Sequence, residues 1–258
     1  MPALVFITGA SSGIGQALAL RFYRAGFSLA LAARRTADVQ TWAERAGLDA
    51  SRYAIYSADV SVISSIVQAG LDTLSRQGVP DVVVANAGIS IGMDTRVRSD
   101  LDVLQQTLAT NNVGMAATFH PFIDAMARRG SGTLVGIGSV AGIRGLPGHG
   151  AYCASKAAVI AYCESLRGEL KPAGLRVVTL CPGYIDTPLT RQNRYAMPFL
   201  MPVDAFANQA FDAIEAGSSY RVIPWQMGLV AKLLRLMPNA LLDKALGGRA
   251  RKKRQGEA

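Results

Sequence analysis

Tyr152 and Lys156 stand four residues apart in the run Tyr152-Cys153-Ala154-Ser155-Lys156. The run reads as the start of a helix, where that spacing puts both side chains on one face, one above the other. A free phenol gives up its proton only near pH ~10. A neighbouring ammonium favours the phenolate and pulls that value down. The expected product is a proton donor and acceptor matched to cellular pH. Alone, the five residues would be no more than a Tyr and a Lys on a helix surface.

Ser139 lies upstream, closing Gly132-Thr133-Leu134-Val135-Gly136-Ile137-Gly138-Ser139. That run looks like a buried strand opening into a glycine-containing loop. A Ser at a strand's C-terminal edge, close to a Tyr at the next helix start, can hydrogen-bond the same substrate oxygen. The unit from Gly138-Ser139 through Tyr152-Cys153-Ala154-Ser155-Lys156 resembles the active site of the short-chain dehydrogenase/reductase family. The elements before and after it carry the rest of that resemblance.

Leu4-Val5-Phe6-Ile7 is a short apolar run, a buried strand by its length and glycine boundary. Thr8-Gly9-Ala10-Ser11-Ser12-Gly13-Ile14-Gly15 follows and leads into a helical pattern. A strand, a glycine-rich turn and a helix N-terminus make a phosphate site, because the turn admits close backbone approach and the free N–H groups favour an anion. The spacing is similar to the family's Thr-Gly-x-x-x-Gly-x-Gly form. No Lys follows the last glycine, so this is not a nucleoside triphosphate loop.

Ser28–Ala33 reads as the second strand. Its end is where a carboxylate would hold the adenosine ribose of NAD. Arg34 and Arg35 stand there instead. Two cations suit a 2′-phosphate, which favours NADP(H) over NAD(H); the alternative is a pair of surface arginines. A helix over 37–47 and a strand over 53–56 lead to Asp59-Val60. In the resembling family that dipeptide lies along the adenine. A helix over 62–77 and a strand over 81–84 lead to Asn86-Ala87-Gly88, similar to the family's triplet that supports the sheet and borders the cofactor.

A helical pattern spans 99–128 and contains Asn111-Asn112-Val113-Gly114. The family's Asn-x-x-Gly pattern selects Asn111, with Asn112 as rival. An Asn inside an apolar helix needs partners for its amide. By the resemblance it helps hold a water linked to Lys156. A helix over 151–169 carries Tyr152 and Lys156, and a sixth strand covers 175–180. Pro182-Gly183-Tyr184-Ile185-Asp186-Thr187 then resembles the family's Pro-Gly-x-x-x-Thr loop, in which Pro182, Gly183, Ile185 and Thr187 hold the nicotinamide end. Residues 188–203, with Leu189, Tyr195, Met197, Phe199, Leu200 and Met201, are either an apolar substrate lid or ordinary packing.

Strand and helix patterns alternate from end to end. The expected architecture is a Rossmann-type, doubly wound, mainly parallel seven-stranded sheet with helices on both faces. It forms a single catalytic domain over 1–225, followed by a basic, amphipathic extension over 226–258. That extension departs from the usual family ending. Its apolar residues Met227, Leu229, Val230, Leu233, Leu234, Leu236 and Met237 are interleaved with Lys232 and Arg235. Such a helix can lie on an anionic membrane or cover a partner subunit; packing on its own core is the default.

The chain has 258 residues, half of them hydrophobic, and a net charge of +9. Arg249, Arg251, Lys252, Lys253 and Arg254 against Glu257 supply nearly half of that excess. A run of this kind reads as a solvated end that can also meet anionic surfaces. Cys153, Cys163 and Cys181 have no metal-like spacing and suit buried thiols in a reduced, intracellular setting. No signal peptide is visible, so a cytoplasmic protein is expected, with peripheral membrane contact as an option.

By the resemblance, the chain is an NADP(H)-dependent oxidoreductase acting on a carbonyl or secondary alcohol. Tyr152 exchanges the proton, Lys156 lowers the Tyr pKa and contacts the nicotinamide ribose, Ser139 orients the substrate oxygen, and Asn111 supports the relay. A homodimer or homotetramer is expected, with no nucleic-acid partner and no metal. The alternative is a non-catalytic cofactor sensor or interaction protein using the basic C-terminus; the complete Asn/Ser/Tyr/Lys set speaks against it. A serine hydrolase fits poorly, because Ile137 and Ala141 occupy the flanking glycine positions of Gly-x-Ser-x-Gly.

Overall fold

Short β-branched and aliphatic runs alternate with amphipathic ones, and a computed structural model shows how they assemble. It describes residues 2–193, 195–246, 248, 252, 254 and 256. In chain order come β1 (Leu4–Thr8), α1 (Gly13–Arg24), β2 (Ser28–Ala33), α2 (Thr36–Arg45), β3 (Tyr53–Ser57), α3 (Ile63–Arg76) and β4 (Val82–Ala85). Then follow α4 (Asp100–Leu108), α5 (Gly114–Arg129), β5 (Gly132–Ile137), α6 (Gly150–Leu170) and β6 (Leu175–Pro182). A two-residue pair, β7 (Ile185–Asp186) and β8 (Met201–Pro202), precedes α7 (Val203–Glu215), β9 (Tyr220–Ile223), α8 (Trp225–Leu236) and α9 (Asn239–Leu246).

Seven strands form one sheet in the order β3-β2-β1-β4-β5-β6-β9. Every neighbouring pair in it is parallel. Strands in such a sheet are buried on both faces, which is why they read as near-continuous apolar runs. The period of two still decides the face. Val5 and Ile7 join a core with Leu18 and Phe22 of α1 and Phe206 and Phe211 of α7. Leu4 and Phe6 join the opposite core with Ile66 of α3, Phe119 and Phe122 of α5 and Val159 of α6. Each fully buried side chain of this size contributes about 1.5–3 kcal/mol.

The chain winds outward from β1 through β2 to β3, then returns to β4 on the other side of β1. Loops leaving β1 and β4 therefore diverge, and a crevice opens at the carboxyl ends of the strands. The glycine-rich turn, Asn86-Ala87-Gly88, Ser139 and Pro182-Gly183 all lie at that edge.

One expectation needs correcting. The pattern over 99–128 is not a single helix. It breaks at Ala109–Val113, a π-helical turn between α4 and α5. Inserted wide turns of this kind rotate a side chain off the regular ladder and occur often at functional sites. Here the turn buries Asn111, which is 2 % exposed. Its Oδ1 accepts from Ile89 N at 2.8 Å, and its Nδ2 donates to Ile89 O at 3.0 Å and Ser155 Oγ at 2.9 Å. Asn112 instead donates to Ser155 O at 2.8 Å.

The basic tail also departs from a solvated end. Lys252 and Arg254 are half-buried against the segment 90–100. Arg249, Arg251, Lys253 and Glu257 lie outside the described residues. No helix among the described residues is long and apolar enough to cross a membrane.

Replacing Asn111 by Leu removes the partners of the Ile89 N–H and C=O together. An unmet polar group in a partly buried place costs about 1–3 kcal/mol. Asn111→Leu is therefore expected to lose at least about 2 kcal/mol in urea unfolding, and Asn111→Gln less; a wild-type midpoint for Asn111→Leu would contradict this account of the turn.

Candidate active site

Thr8 and Asn86 set the shape of the crevice floor. Asn86 N and Ala87 N donate to Thr8 Oγ1 at 3.1 and 3.2 Å, and Asn86 Nδ2 donates to Thr8 O at 3.0 Å. These bonds clip the ends of β1 and β4 together. The turn then has room only for glycine at two points. Gly9 has φ +69°, and a Cβ there would lie 2.9 Å from Ala87 Cα. A Cβ on Gly15 would lie 2.3 Å from Gly9 O. Helix α1 starts beyond the turn, with no side-chain cap bond from Ser12 and no acid in its first turn. Its first N–H groups remain available to an anion.

The crevice is a single cleft of about 470 Å³. Gly9, Ser11, Ser12, Gly13 and Ile14 line its floor, and Arg34, Arg35, Asp59 and Val60 one end. Asn86, Ala87, Gly88, Ser139, Tyr152 and Lys156 line its wall, with Pro182, Gly183, Ile185 and Thr187 opposite. The sequence-selected residues outside this lining are Thr8, Gly15 and Asn111. Thr8 and Gly15 act from behind by holding the turn. Asn111 stands behind Gly88, where a Cβ would lie 3.2 Å from Asn111 Oδ1 and 3.6 Å from Lys156 Nζ.

Arg35 donates to Asp38 Oδ2 at 2.6 Å and to Ser11 Oγ at 3.2 Å. Arg34 stands 3.7 Å from Asp59 and is well exposed. Burial pushes the Asp59 carboxyl up, but two hydrogen bonds from Ser61 and the Arg34 charge outweigh it and hold the group below its ordinary value. Two guanidiniums and a hydroxyl thus border the end of the cleft beside β2.

At the other end, Ser139 is 6 % exposed and its Oγ accepts from Ala141 N at 3.1 Å. The hydroxyl also hydrogen-bonds Tyr152. The 21-residue α6 carries Tyr152 and Lys156 on one face as their spacing requires. Lys156 Nζ lies 5.7 Å from the Tyr152 ring centroid and donates to Ile137 O at 2.8 Å.

The electrostatics reverse one expectation. The Tyr152 pKa is not lowered: burial pushes it up to about 12, although a hydrogen bond with Ser139 pulls the other way. Burial likewise draws Lys156 down to about 8. Desolvation penalises both charged forms and is the largest cause at each group. Tyr152 is only partly covered and faces the cleft, so whatever fills the cleft changes its surroundings.

Gln106, Thr110, Ile89, Ser61, Thr190 and Gln192 also line the cleft. No motif in the sequence points to them. Gln106 and Thr110 share one helical face by their four-residue spacing, but only the sheet order brings that face to the glycine turn. The C-terminal extension braces the loop between Ser139 and Tyr152. Arg144 donates to Met237 O at 3.2 Å and Asn239 Oδ1 at 2.7 Å, and Arg235 to Ile143 O at 3.4 Å.

The chain and its fold are similar to known proteins. A family model described as short chain dehydrogenase matches residues 3–197. An uncharacterized oxidoreductase of Myxococcus xanthus is 35% identical over 239 residues, covering 93% of this chain and 94% of that protein. The crystal structure of a short-chain dehydrogenase from Streptomyces avermitilis superimposes with a TM-score of 0.81 at 25% identity, covering 95% of this chain and 94% of the other. An alcohol dehydrogenase from Thermococcus sibiricus, complexed with 5-hydroxy-NADP, gives a TM-score of 0.75 at 26% identity, covering 86% and 95%. With the family model spanning most of the chain and the fold shared throughout, the protein belongs to the short-chain dehydrogenase family.

Proposed function

We propose that the protein is an NADP(H)-dependent oxidoreductase that reduces a partly apolar carbonyl compound to a secondary alcohol, or runs the reverse. The observation that carries this reading is one cleft with an anion-ready helix start at its middle, two arginines at one end, and Ser139 and Tyr152 at the other. That donor set fits a dinucleotide phosphate. Bound there, the cofactor supplies or accepts a hydride at its nicotinamide.

The chain's own groups handle the oxygen. Ser139 keeps its single O–H donor and one acceptor position beyond the bond from Ala141 N, and it orients the substrate oxygen with that donor. Tyr152 donates its proton to the oxygen as negative charge develops there. A phenol held up near 12 stays protonated at neutral pH and remains far more acidic than an alcohol, so it is a competent acid for reduction. Lys156 has two N–H groups left beyond its bond to Ile137 O, and these hold the ribose hydroxyls. Asn111 keeps one acceptor position on Oδ1 and steadies a water beside Lys156.

Arg34, with Arg35 and Ser11, receives the 2′-phosphate, and the complex of the Thermococcus sibiricus relative with 5-hydroxy-NADP supports that choice. Asp59 and Val60 flank the adenine, and Pro182, Gly183, Ile185 and Thr187 hold the nicotinamide end. Residues 188–203 cover the substrate, with Leu189, Phe199 and Leu200 exposed and therefore available to an apolar body. Exposed Leu101, Val113 and Tyr162 on α4 and its continuation and on α6 suit pairing of subunits into a homodimer or homotetramer.

The extension 226–258 forms a unit of its own role. On α8, Trp225, Leu229, Leu233 and Leu236 are all exposed, at 63, 52, 67 and 81 %. Their spacing makes one stripe, Lys232 and Arg235 flank it, and the helix has no acid. We read it as a face that rests on an anionic membrane surface.

Tyr152→Phe is expected to lower kcat for NADPH-dependent reduction by about 10²–10⁴-fold, the scale of one general acid, with NADPH affinity unchanged. Substantial remaining turnover would contradict the role given to the phenol. Arg34→Asp should move the NADPH/NADH ratio of kcat/KM toward NADH by about tenfold or more, the loss of one charge-assisted contact; an unchanged ratio would remove the phosphate assignment. Co-sedimentation with phosphatidylserine vesicles should be lost on replacing Leu233 and Leu236 by Ser, and equal binding of both proteins would count against the membrane face.

A further inference from the structure

Lys252 and Arg254 bring the end of the chain back to the segment 90–100, which follows the cleft-lining Ile89. Arg254 Nε lies 3.7 Å from Asp100 Oδ2, a carboxylate whose side chain is only 5 % exposed. Arg254 also forms a parallel bridge with Gly92. The same Asp100 oxygen accepts from Asp94 N at 2.7 Å, so one buried acid ties the 89–94 loop and the tail together. That loop is seated on the start of α6. Met93 N donates to Gly148 O at 3.1 Å, and Ala151 N reaches Met93 Sδ at 3.1 Å. The tail is therefore fastened beside Tyr152, at a place that sequence order alone does not suggest.

Lys252 is the cation this fastening delivers. Its Nζ donates to Ser90 Oγ at 2.8 Å, and Ser90 follows Ile89, a lining residue of the cleft. No carboxylate among the described residues pairs with Lys252, and a hydroxyl does not neutralise its charge. Burial draws the ammonium down to about 8. Its charge reaches His149, three residues before Tyr152: burial holds that imidazole below its ordinary value and Lys252 adds to the effect. His149 Nε2 in turn lies 3.3 Å from Tyr195 Oη, inside the segment 188–203. A half-buried cation without a counter-charge is costly unless something supplies one.

We propose that Lys252 is a substrate-binding residue that takes a carboxylate carried by the carbonyl substrate, at the mouth of the cleft beside Tyr195. This rests on the reading of the cleft as a carbonyl-reducing site. A carboxylate fits better than a phosphate dianion. Lys252 brings one ammonium, with two N–H groups left by Ser90, next to the cleft-lining Ile89, and the nearby Arg254 guanidinium is held by Asp100. The preferred substrate then has an apolar body under 188–203, an oxo group at Tyr152 and an acid at Lys252.

The test compares size-matched pairs of oxo acids and their methyl esters in NADPH oxidation, using the full-length protein, Lys252→Met and Lys252→Arg. The wild type should prefer the acid by about tenfold or more in kcat/KM, the worth of one hydrogen-bonded charge contact. Lys252→Met should lose that preference through KM and leave the ester's kcat/KM and the NADPH affinity unchanged. Lys252→Arg should restore it in part. A second arm needs no turnover: calorimetric binding of benzoate and benzamide in the presence of NADP+. A benzoate preference lost in Lys252→Met supports the proposal even if no oxo compound is reduced, a result that would count against the reductase reading alone. Equal binding of acid and neutral ligand in the wild type, or an acid preference that survives Lys252→Met, overturns it.

Discussion

The close approach of two backbone segments at the ends of β1 and β4 governs the rest of the molecule. Asn86 donates two hydrogen bonds to Thr8 across that junction, and Gly9 and Gly15 leave no room for a side chain. Because the junction sits where the sheet reverses its winding, it opens the crevice and aims the start of α1 into it. Every other feature of the cleft is registered against this floor. The parallel pairing of β4 with β5 brings Ser139 to the same edge, and the pairing of β5 with β6 brings Pro182 and Gly183.

Burial rather than charge pairing sets the chemistry of the wall. Tyr152 and Lys156 are held near each other, yet both are pushed toward their neutral forms. In a narrow cleft the loss of hydration dominates, and one of the lysine's N–H groups is taken by Ile137 O. A protonated phenol hydrogen-bonded to a serine hydroxyl is a pair of O–H groups, suited to meeting an oxygen that gains negative charge. Asn111 supports this wall from behind: a single wide turn swings its amide onto Ile89 and Ser155, one on the loop after β4 and one on α6.

The last thirty residues do two separate jobs in the structure. Helices α8 and α9 brace the loop that joins Ser139 to Tyr152, through Arg235 and through bonds from Arg144. Beyond them, Lys252 bonds Ser90 and Arg254 pairs with the buried Asp100. The part of the chain that departs most from the usual family ending thus contacts both the loop before Tyr152 and the segment after Ile89. Differences in substrate between relatives would then be expected to track this extension more closely than the glycine turn.

Periodicity was enough to give the seven-stranded parallel sheet and its two helical layers, because those depend on local propensity and on short, ordered spacings. The glycine turn from Thr8 to Gly15 and the pair Tyr152 and Lys156 carried a chemical reading of their own, while Asn86-Ala87-Gly88 and most of the other cleft residues were picked out by the family resemblance. Sequence alone missed Gln106, Thr110 and Ser61, which reach the cleft only through strand order. It also joined α4 and α5 into one helix, because a π-helical turn has no periodic signature over five residues. The raised phenol pKa and the folding-back of Lys252 onto Ser90 were settled by tertiary structure alone. Both depend on how much water is excluded and on which distant segments share a surface, quantities that no local pattern of residues encodes.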